Sequence, residues 1–237
     1  MKVLAIETST MLGGIAISDE SAGLIAEVRL NVKSTHSERL MTGIDHLLKQ
    51  SSLTIHDVDV FAVAAGPGSF TGLRIGLSTV KGFSFASGKP VVSVPTLEAF
   101  AWNVPYCRHL VCTMLDARKK EVYAAVFQWE EDNFSRVIRE ISIKVDRLIG
   151  KIRSELSERL SDKKILFMGE GALLYREEIS GIMGDKALFA PSAKMVPSPA
   201  NVAQLGLKKA LKGDYAEPAG LTPFYIRRSE AELKSNG

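Results

Sequence analysis

Two apolar runs of the chain each end in an acidic residue that is followed by groups able to bind a ligand. Glu7 ends the first run and is followed by Thr8 and Ser9, while Asp116 ends a later run two residues before Arg118. Carboxylates can hold a hydrated Mg²⁺, and hydroxyls together with turn amides can hold phosphate. The pattern therefore fits a nucleotide-dependent reaction, but it also fits two acids that only cap their turns.

A phosphotransferase would need more than these two acids. It also needs a base near the accepting group, and the corresponding place in the first half holds Ala64-Ala65-Gly66, which cannot take a proton. Gly169 and Gly171 in the second half are placed to lie close to a nucleoside. We favour the interpretation that the acids cap their turns, and keep a nucleotide cleft formed by both turns and these glycines as the alternative.

A glycine-rich loop separates a short apolar strand, Val60–Ala65, from a helix predicted over Thr71–Ser87. Glycines permit positive φ and close approach of another backbone, and the start of a helix offers unpaired N–H groups. The loop is neither a Walker loop, which requires Gly-Lys-Ser/Thr, nor a dinucleotide fingerprint. It predicts either a site for phosphate or a partner's backbone, or a tight turn that packs the helix on the sheet. Its central residues are Gly66, Gly68, Ser69 and Gly72.

The residue types that bind transition metals or cleave peptide bonds do not form a working pattern. His36 and His46 are ten residues apart and lie on different faces, and neither CxxC nor HExxH occurs. Ser69 has no histidine at a suitable spacing, and the sequence around it is not a nucleophile elbow. We therefore predict no metal site, and surface or turn positions for the histidines His36, His46, His56 and His109.

The composition is that of an ordinary globular protein. The chain has 237 residues, of which 46% are hydrophobic and 24% charged, and its net charge is +3. Its basic residues are scattered, so we interpret Arg118-Lys119-Lys120 and the other short basic runs as solvated surface. Two cysteines indicate a reducing compartment rather than a disulfide framework. No signal peptide or membrane span is predicted, which together with the cysteines favours a cytoplasmic protein.

The order of the predicted elements repeats along the chain. Apolar strands and periodic helices follow one another as βββαβαβα in residues 1–104 and again in residues 105–237. Three sequential strands form an antiparallel meander, and strands joined through helices form parallel crossovers. We predict an α/β chain of two tandem domains, each with a mixed sheet, the second ending in an extended tail. Its predicted helices include Val145–Leu160 and residues 169–182.

The helices predicted over Ser37–Gln50 and Thr71–Ser87 each carry two apolar stripes, and the second also carries small residues that let another helix approach. A helix on a sheet needs only one such stripe, so the other must be covered by a further layer or by another subunit. The chain has few helices left for a further layer, and we therefore predict a subunit interface. Its predicted residues are Met41, Asp45, Leu48, Ile75, Thr79 and Phe83.

Five segments together resemble the TsaB family, also called YeaZ. They occur in the same order over nearly the whole chain and are Leu4–Thr10, Gly66–Arg74, Pro95–Ala99, Asp116–Tyr123 and Pro223–Arg227. The resemblance implies an actin/hexokinase-type duplicated fold of two ribonuclease H-like domains. It also implies a subunit of the bacterial machinery that makes threonylcarbamoyladenosine next to the anticodon of ANN-decoding tRNAs.

The same resemblance implies the partners of the chain and its lack of catalysis. Family members bind the catalytic paralogue TsaD, and the complex recruits the ATPase TsaE. ATP and the metal ion then belong to the partners, and no cofactor is expected in this subunit. Catalytic relatives carry a metal-binding His-x-x-x-His pair where this chain has Thr96 and Phe100, neither of which can replace imidazole. Glu7 stands where many relatives have aspartate, which weakens a nucleotide site here.

The interface predicted on the two helices also suits a second copy of the chain, because chain and partner share one fold. We expect a homodimer when the chain is alone, in competition with the heterodimer. Contact with tRNA is expected through the complex, and none with a membrane. Two alternatives stay open: an ATP-dependent small-molecule kinase or ATPase of the actin-like superfamily that uses Glu7 and Asp116, and a glycoprotease-like peptidase.

Overall fold

The computed structural model describes residues 1–30 and 36–226. This part of the chain forms two compact units, residues 1–99 together with 197–224, and residues 100–196. Each unit is built on a mixed sheet of five strands with helices packed against it. The predicted fold class, two mixed sheets in which an antiparallel meander is extended by parallel strands, is confirmed.

The first sheet is built from the strands β1 (Lys2–Glu7), β2 (Gly13–Asp19), β3 (Gly23–Leu30), β4 (Val60–Ala64) and β5 (Val91–Val94). Their order across the sheet is β3-β2-β1-β4-β5. The first three pair in antiparallel fashion, and β4 and β5 run parallel to β1. The central strands β1 and β4 are buried along nearly their whole length, as expected of strands covered on both faces.

Three helices follow within the same stretch of chain: α1 (His36–Gln50), α2 (Phe70–Ser87) and α3 (Thr96–Ala101). Strand residues alternate between the two faces of a sheet, and Leu4 and Ile6 lie on the face that packs against α1 and α2. Helix α2 begins after Ser69, whose hydroxyl accepts the N–H of Gly72 and so satisfies one unpaired donor of the first turn. The predicted start of this helix at the glycine loop is thereby explained.

The second sheet is built from the strands β6 (Leu110–Arg118), β7 (Glu121–Glu130), β8 (Asn133–Ile143), β9 (Ile165–Met168) and β10 (Ala187–Phe189). Their order is β10-β9-β6-β7-β8, so β6 takes the central place that β1 takes in the first sheet. One face packs against the helices α4 (Val145–Glu155), α5 (Glu170–Leu174) and α6 (Arg176–Met183). Single 3₁₀ turns lie at Ile55–Asp57, Gly184–Lys186 and Ser192–Lys194. Within the described ranges, no helix has the length and apolar character needed to cross a membrane.

Two helices of this unit differ from the prediction. Helix α4 ends at Glu155 rather than Leu160, although both Leu156 and Leu160 are still buried in the core. The helix predicted over residues 169–182 is two helices, because the backbone leaves the helical region at Tyr175. In both places the spacing of apolar residues indicates which side chains are buried against the sheet. Side chains beyond the end of the helix are buried as well, so the spacing overestimates the length of the helix.

A helix near the end of the chain packs on the first sheet rather than on the second. This helix, α7 (Pro199–Leu211), covers the face of β1, β2 and β4 that lies opposite to α1 and α2. Gly206 lets it approach, since a Cβ on this residue would lie 2.5 Å from Cβ of Ala62. The first unit therefore includes residues 197–224, whereas the sequence assigned residues 105–237 to a second domain. Helical periodicity reveals an apolar face but not which sheet that face covers.

The start of α7 is fixed to the first sheet by a carboxylate of β3. The hydroxyl of Ser198 donates to Glu27 Oε1 at 2.7 Å, and the same oxygen accepts the N–H of Ala200 at 2.9 Å. Partial burial alone would raise the pKa of Glu27, but hydrogen bonds from Arg29, Ala200 and Ser198 outweigh it and lower that pKa. A negative charge at a helix N-terminus is favourable, so Glu27 stabilises the return of the chain to this sheet.

The segment after α7 also stays with the first unit. The N–H of Ala216 donates to the carbonyl of Val91 at 2.8 Å, beside the edge strand β5. The N–H of Phe224 donates to the carbonyl of Ala65 at 2.7 Å, so the predicted extended tail does lie against a domain at this point. Residues 227–237, which include the basic pair at the end of the chain, lie outside the described residues.

Candidate functional site

The turn after β1 holds a carboxylate that is fully removed from solvent. Oε1 of Glu7 accepts hydrogen bonds from the backbone N–H and the hydroxyl of Ser9, at 2.6 and 2.5 Å. Oε2 has no hydrogen-bond partner among the described residues. Burial raises the pKa of Glu7 to about 7, against the lowering effect of the hydrogen bonds from Ser9. This sealed geometry favours the turn-capping interpretation of the acid.

The glycine loop packs directly on this turn. The N–H of Ser69 donates to the carbonyl of Ser9 at 2.6 Å, and the hydroxyl of Thr8 donates to the carbonyl of Gly72 at 2.8 Å. A Cβ on Gly68 would lie under 3.0 Å from the carbonyl oxygen of Ser9. A Cβ on Gly72 would lie equally close to the carbonyl oxygen of Thr8. The glycines therefore admit the chain's own backbone, which favours the packing interpretation over a phosphate site.

The end of β6 is more open, where Asp116 lies two residues before the last residue of the strand, Arg118. The side chain of Asp116 is 20% exposed, and its Oδ2 lies 3.4 Å from the guanidinium of Arg118. Its Oδ1 accepts the N–H of Arg118 at 2.9 Å, as expected for an acid that caps a turn. Glu170 lies beside it, with Oε1 3.4 Å from the backbone nitrogen of Asp116, and burial raises the pKa of this second carboxyl.

The glycines assigned to a nucleoside site serve close packing within the second unit. A Cβ on Gly169 would lie under 3.0 Å from the carbonyl oxygen of Met114, and one on Gly171 would lie 3.1 Å from Met114 Cβ. Their use in one nucleotide cleft with the two acidic turns stays a prediction, because its residues are divided between the units. Glu7, Thr8 and Ser9 belong to the first unit, and Asp116, Arg118, Gly169 and Gly171 belong to the second.

The positions that resemble the metal-binding pair of catalytic relatives lie inside the protein. Thr96 and Phe100 are both fully buried. The hydroxyl of Thr96 accepts the N–H of Gly66 at 3.1 Å, where the glycine loop begins. Across residues 1–30 and 36–226, no three His, Cys, Asp or Glu side chains are grouped so that they could hold a metal ion. Thr96 thus supports the loop, and Phe100 fills the interior.

The surface formed by α1 and α2 presents apolar groups to solvent. Met41 is 52% exposed, and a groove of about 440 Å³ lies between the two helices. Asp45 is also exposed and pairs with Lys49 at 2.7 Å. At the rim of the groove, the guanidinium of Arg74 lies 3.8 Å from the centre of the Phe70 ring. This is the surface on which the predicted interface residues were placed.

The assignment of Leu48 to this surface is wrong. Its side chain is only 8% exposed and belongs to the core of the first unit. Leu40, Ile44 and Leu48 are spaced as i, i+4 and i+8, so one helix face buries all three against the sheet. Met41, Asp45 and Leu48 fit a helical stripe equally well, and spacing alone cannot decide between the two.

The three remaining predicted residues are half-buried. Ile75 and Phe83 pack against the core, and the ring of Phe83 stacks on Phe61 with 5.4 Å between the ring centres. The hydroxyl of Thr79 donates to the carbonyl of Ile75 at 2.8 Å, as threonine often does within a helix. These side chains offer only part of their surface to a partner.

Phe85 is not among the predicted interface residues, yet its side chain is 95% exposed on α2. Ser78 and Gly82 precede it at helical spacing and are exposed on the same stripe. A large aromatic residue on an otherwise small and polar stripe gains nothing from solvent, and that contrast is the signal that could have revealed it. Phe85 therefore adds an exposed apolar side chain near the end of α2, outside the groove that Met41 lines.

Comparison with known proteins gives one matching family and several curated relatives. The family described as "TsaD: tRNA N6-adenosine threonylcarbamoyltransferase" matches residues 23–235. A protein of Bacillus subtilis named tRNA threonylcarbamoyladenosine biosynthesis protein TsaB is 31% identical over 99% of this chain and 97% of its own length. The protein of the same name from Haemophilus influenzae is 30% identical over 70% of this chain and 62% of its own.

A solved structure named YeaZ from Pseudomonas aeruginosa shares the fold. Its TM-score is 0.79 at 23% identity, over 94% of this chain and 99% of that one. A second structure, of a protein described as similar to peptidase YEAZ, has a TM-score of 0.81 at 24% identity. Because a relative matches almost end to end at 31% identity, the chain belongs to the TsaB (YeaZ) family.

Proposed function

We propose that this chain is a non-catalytic subunit in the synthesis of threonylcarbamoyladenosine in tRNA, next to the anticodon of ANN-decoding tRNAs. Its relatives carry the name of this biosynthesis. In this proposal the chain binds and supports the catalytic paralogue TsaD through α1 and α2, and the complex recruits the ATPase TsaE. The observation that carries the proposal is the exposure of one large apolar side chain on each of these two helices, Met41 on α1 and Phe85 on α2.

This surface has the properties of a protein interface. Met41 and Phe85 are large and apolar, and their exposure to water is unfavourable unless a partner covers them. Ser78 and Gly82 beside them are small, so another helix can approach α2 closely. A homologous chain with two helices in the same place would complete a four-helix contact.

The same surface also suits a second copy of this chain. A two-fold axis would place α1 and α2 of both copies against each other, since such an interface pairs a surface with itself. We therefore propose a homodimer for the chain alone, which gives way to the heterodimer when the catalytic paralogue is present. Homodimer and heterodimer then compete for Met41 and Phe85.

A catalytic role gains little from the geometry. Glu7 is sealed from solvent, and the hydroxyl of Ser69 accepts the N–H of Gly72 as a helix cap. The kinase or ATPase alternative therefore lacks an accessible Glu7, and the peptidase alternative lacks a Ser69 prepared for attack. Vigorous ATP hydrolysis or peptide cleavage by the pure chain would contradict the non-catalytic role.

The interface is tested with Met41→Glu and Phe85→Glu, because both side chains are exposed and the variants should fold. A charge buried at the centre of an interface without a partner is unfavourable, so affinity for the catalytic paralogue should fall about 100-fold. Titration calorimetry measures this affinity, and light scattering of the chain alone should show a shift from dimer to monomer.

Leu211→Glu is the matched control, since Leu211 is 53% exposed on α7 of the same unit. This variant should bind the catalytic paralogue like the wild type and support tRNA modification in the reconstituted system. Leu48→Glu should instead unfold the first unit, because Leu48 is in its core. Normal binding by Met41→Glu and Phe85→Glu, or loss of binding by Leu211→Glu, would place the interface elsewhere.

A further inference from the structure

Three consecutive cations form the tip of the hairpin between β6 and β7. All three side chains are exposed. Arg118 and Glu121 are backbone partners in the strand ladder, so the loop itself consists of Lys119 and Lys120. Their φ angles are all positive, at 63°, 54° and 61°. Three other non-glycine residues in the described part of the chain have a positive φ, and they are isolated from one another.

The backbone of this loop does not favour lysine. A two-residue hairpin loop with positive φ at both positions corresponds to a type I′ turn, for which Asn-Gly is strongly preferred. Side chains with a Cβ resist this conformation, so Lys119 and Lys120 make the turn less stable than Asn-Gly would. If these residues were only solvated surface, nothing would explain why lysine occupies positions whose φ is unfavourable for it. Unfavourable backbone conformations are often found where they serve binding.

The three cations are held on a firm support. The strands pair at Arg118 and Glu121, with a register shift between Asp116 and Arg118. Oδ1 of Asp116 accepts the N–H of Arg118 at 2.9 Å, and its Oδ2 lies 3.4 Å from the Arg118 guanidinium. The hydroxyl of Ser142 donates a hydrogen bond to Oε2 of Glu121 at 3.1 Å. Cations presented by a paired hairpin lose less conformational freedom on binding a polyanion than cations on a long loop.

We propose that the Arg118–Lys120 turn binds the phosphate backbone of RNA and gives this subunit a direct contact with tRNA. That the RNA is tRNA rests on the proposed function, whereas the phosphate chemistry rests on the turn itself. Ammonium and guanidinium groups bind phosphates without regard to base sequence and fix the position of the nucleic acid. An acidic membrane fits less well, since basic membrane contacts use about four to eight cations beside a helix, and this turn has three between strands.

The test uses a double substitution that separates turn formation from charge. Lys119→Asn with Lys120→Gly installs the preferred turn sequence and removes two charges, so the melting temperature should rise or stay constant. Binding of a fluorescent, unmodified ANN-decoding tRNA is measured by anisotropy with the full chain, alone and with the catalytic paralogue. At 0.1 M KCl the affinity should fall about tenfold, and the slope of log K against log[KCl] should lose about two units.

The matched control removes the same charge from another exposed surface of the second unit. Arg147→Gln with Arg153→Gln changes two exposed arginines of α4 and should leave the affinity for tRNA within about twofold, because phosphate contacts are local. An equal loss of affinity for tRNA in this control would mean that only the net charge of the chain matters, and it would overturn the proposal. Unchanged affinity and slope in the hairpin variant would overturn it as well.

Two further outcomes separate this inference from the proposed function. If the hairpin variant binds tRNA normally but loses the catalytic paralogue, the turn is a protein contact and the RNA proposal fails. If the wild-type chain fails to bind the catalytic paralogue, the proposed function fails, while a cation-dependent affinity of the chain alone for tRNA still supports the RNA contact. Absence of measurable tRNA binding by wild-type chain and complex would overturn the RNA contact directly.

Discussion

The turns that follow β1 and β6 occupy equivalent places in two sheets of matching strand order, yet they differ in their access to water. The carboxyl of Glu7 is fully buried, whereas the side chain of Asp116 is 20% exposed and paired with Arg118. In the first unit the glycine loop covers Thr8 and Ser9. The topology thus places an acid at or near the end of each central strand, and the segments packed against that acid decide whether water reaches it.

The difference arises from where the glycines make their closest approach. Gly72 lies against the backbone of Thr8, one residue after Glu7, and Gly68 lies against the backbone of Ser9, two residues after it. Gly169 meets Met114 instead, which precedes Asp116 by two residues. The residues after Glu7 are therefore buried by the glycine loop. Gly169 packs against β6 before Asp116 and leaves Asp116 accessible to water.

The largest expected effect comes from adding one methyl group at the closest approach. Gly72→Ala puts a Cβ under 3.0 Å from the carbonyl oxygen of Thr8, where neither backbone can move without breaking the turn. Helix propensity alone would make this change favourable, but the clash should lower the free energy of unfolding by about 4 kcal/mol. Urea denaturation followed by circular dichroism measures it.

Gly82→Ala on the same helix is the control for this prediction. A Cβ at this position meets nothing within 4 Å, so the substitution should raise the free energy of unfolding by about 0.5–1 kcal/mol through helix propensity. Opposite signs at the two positions would establish that the loop seals the turn. Similar small effects at both would mean that the approach of α2 to Thr8 is looser than described.

The elements of the fold could be predicted because burial leaves a period in the sequence. The continuous apolar runs of β1 and β4 indicate strands buried on both faces, and the apolar stripe of α1 indicates one buried face. The partner of each buried face leaves no such trace. The position of α7 on the first sheet depends on Gly206 fitting against Ala62, and nothing in either sequence segment points to the other.

The same limit applies to the candidate site. The acids and the glycine loop can be identified from residue types. Thr8 and Gly72 are 64 residues apart, however, and sequence spacing does not show that they are in contact. Leu48 fits both an interface stripe and a core stripe, and only the packing assigns it to the core. Phe85 was missed because a periodic search looks for apolar groups that face a core.

The second prediction concerns the pH dependence that a sealed carboxyl imposes. Glu7 has an ordinary pKa of 4.5 when unfolded and about 7 when folded. Between these values the unfolded chain releases the proton and the folded chain keeps it, so stability falls as the pH rises. Full ionisation of this group should lower the free energy of unfolding by about 3 kcal/mol, with no further change from it above pH 7.

Glu7→Gln isolates this contribution. The amide oxygen can accept both hydrogen bonds from Ser9, and the side chain no longer titrates. His109 and the other titrating groups are unchanged, so the difference in slope between wild type and variant from pH 4.5 to 7 belongs to Glu7. Identical slopes in urea titrations across this range would mean that water reaches the carboxyl, and the contrast between the two turns would disappear.

The smallest expected effect is at the open turn. Asp116→Ala removes the acceptor of the Arg118 N–H and one partner of an exposed ion pair, which should lower the free energy of unfolding by about 1 kcal/mol. Asp116→Asn keeps an oxygen in place of Oδ1 and loses only the ion pair, so it should change stability by less than about 0.5 kcal/mol. Urea denaturation of both variants measures the ranking. If Asp116→Ala leaves stability unchanged but abolishes tRNA modification in the reconstituted complex, the acid does chemistry or binding rather than capping. The open turn would then be the functional counterpart of the sealed one, and the difference in water access would follow from that use.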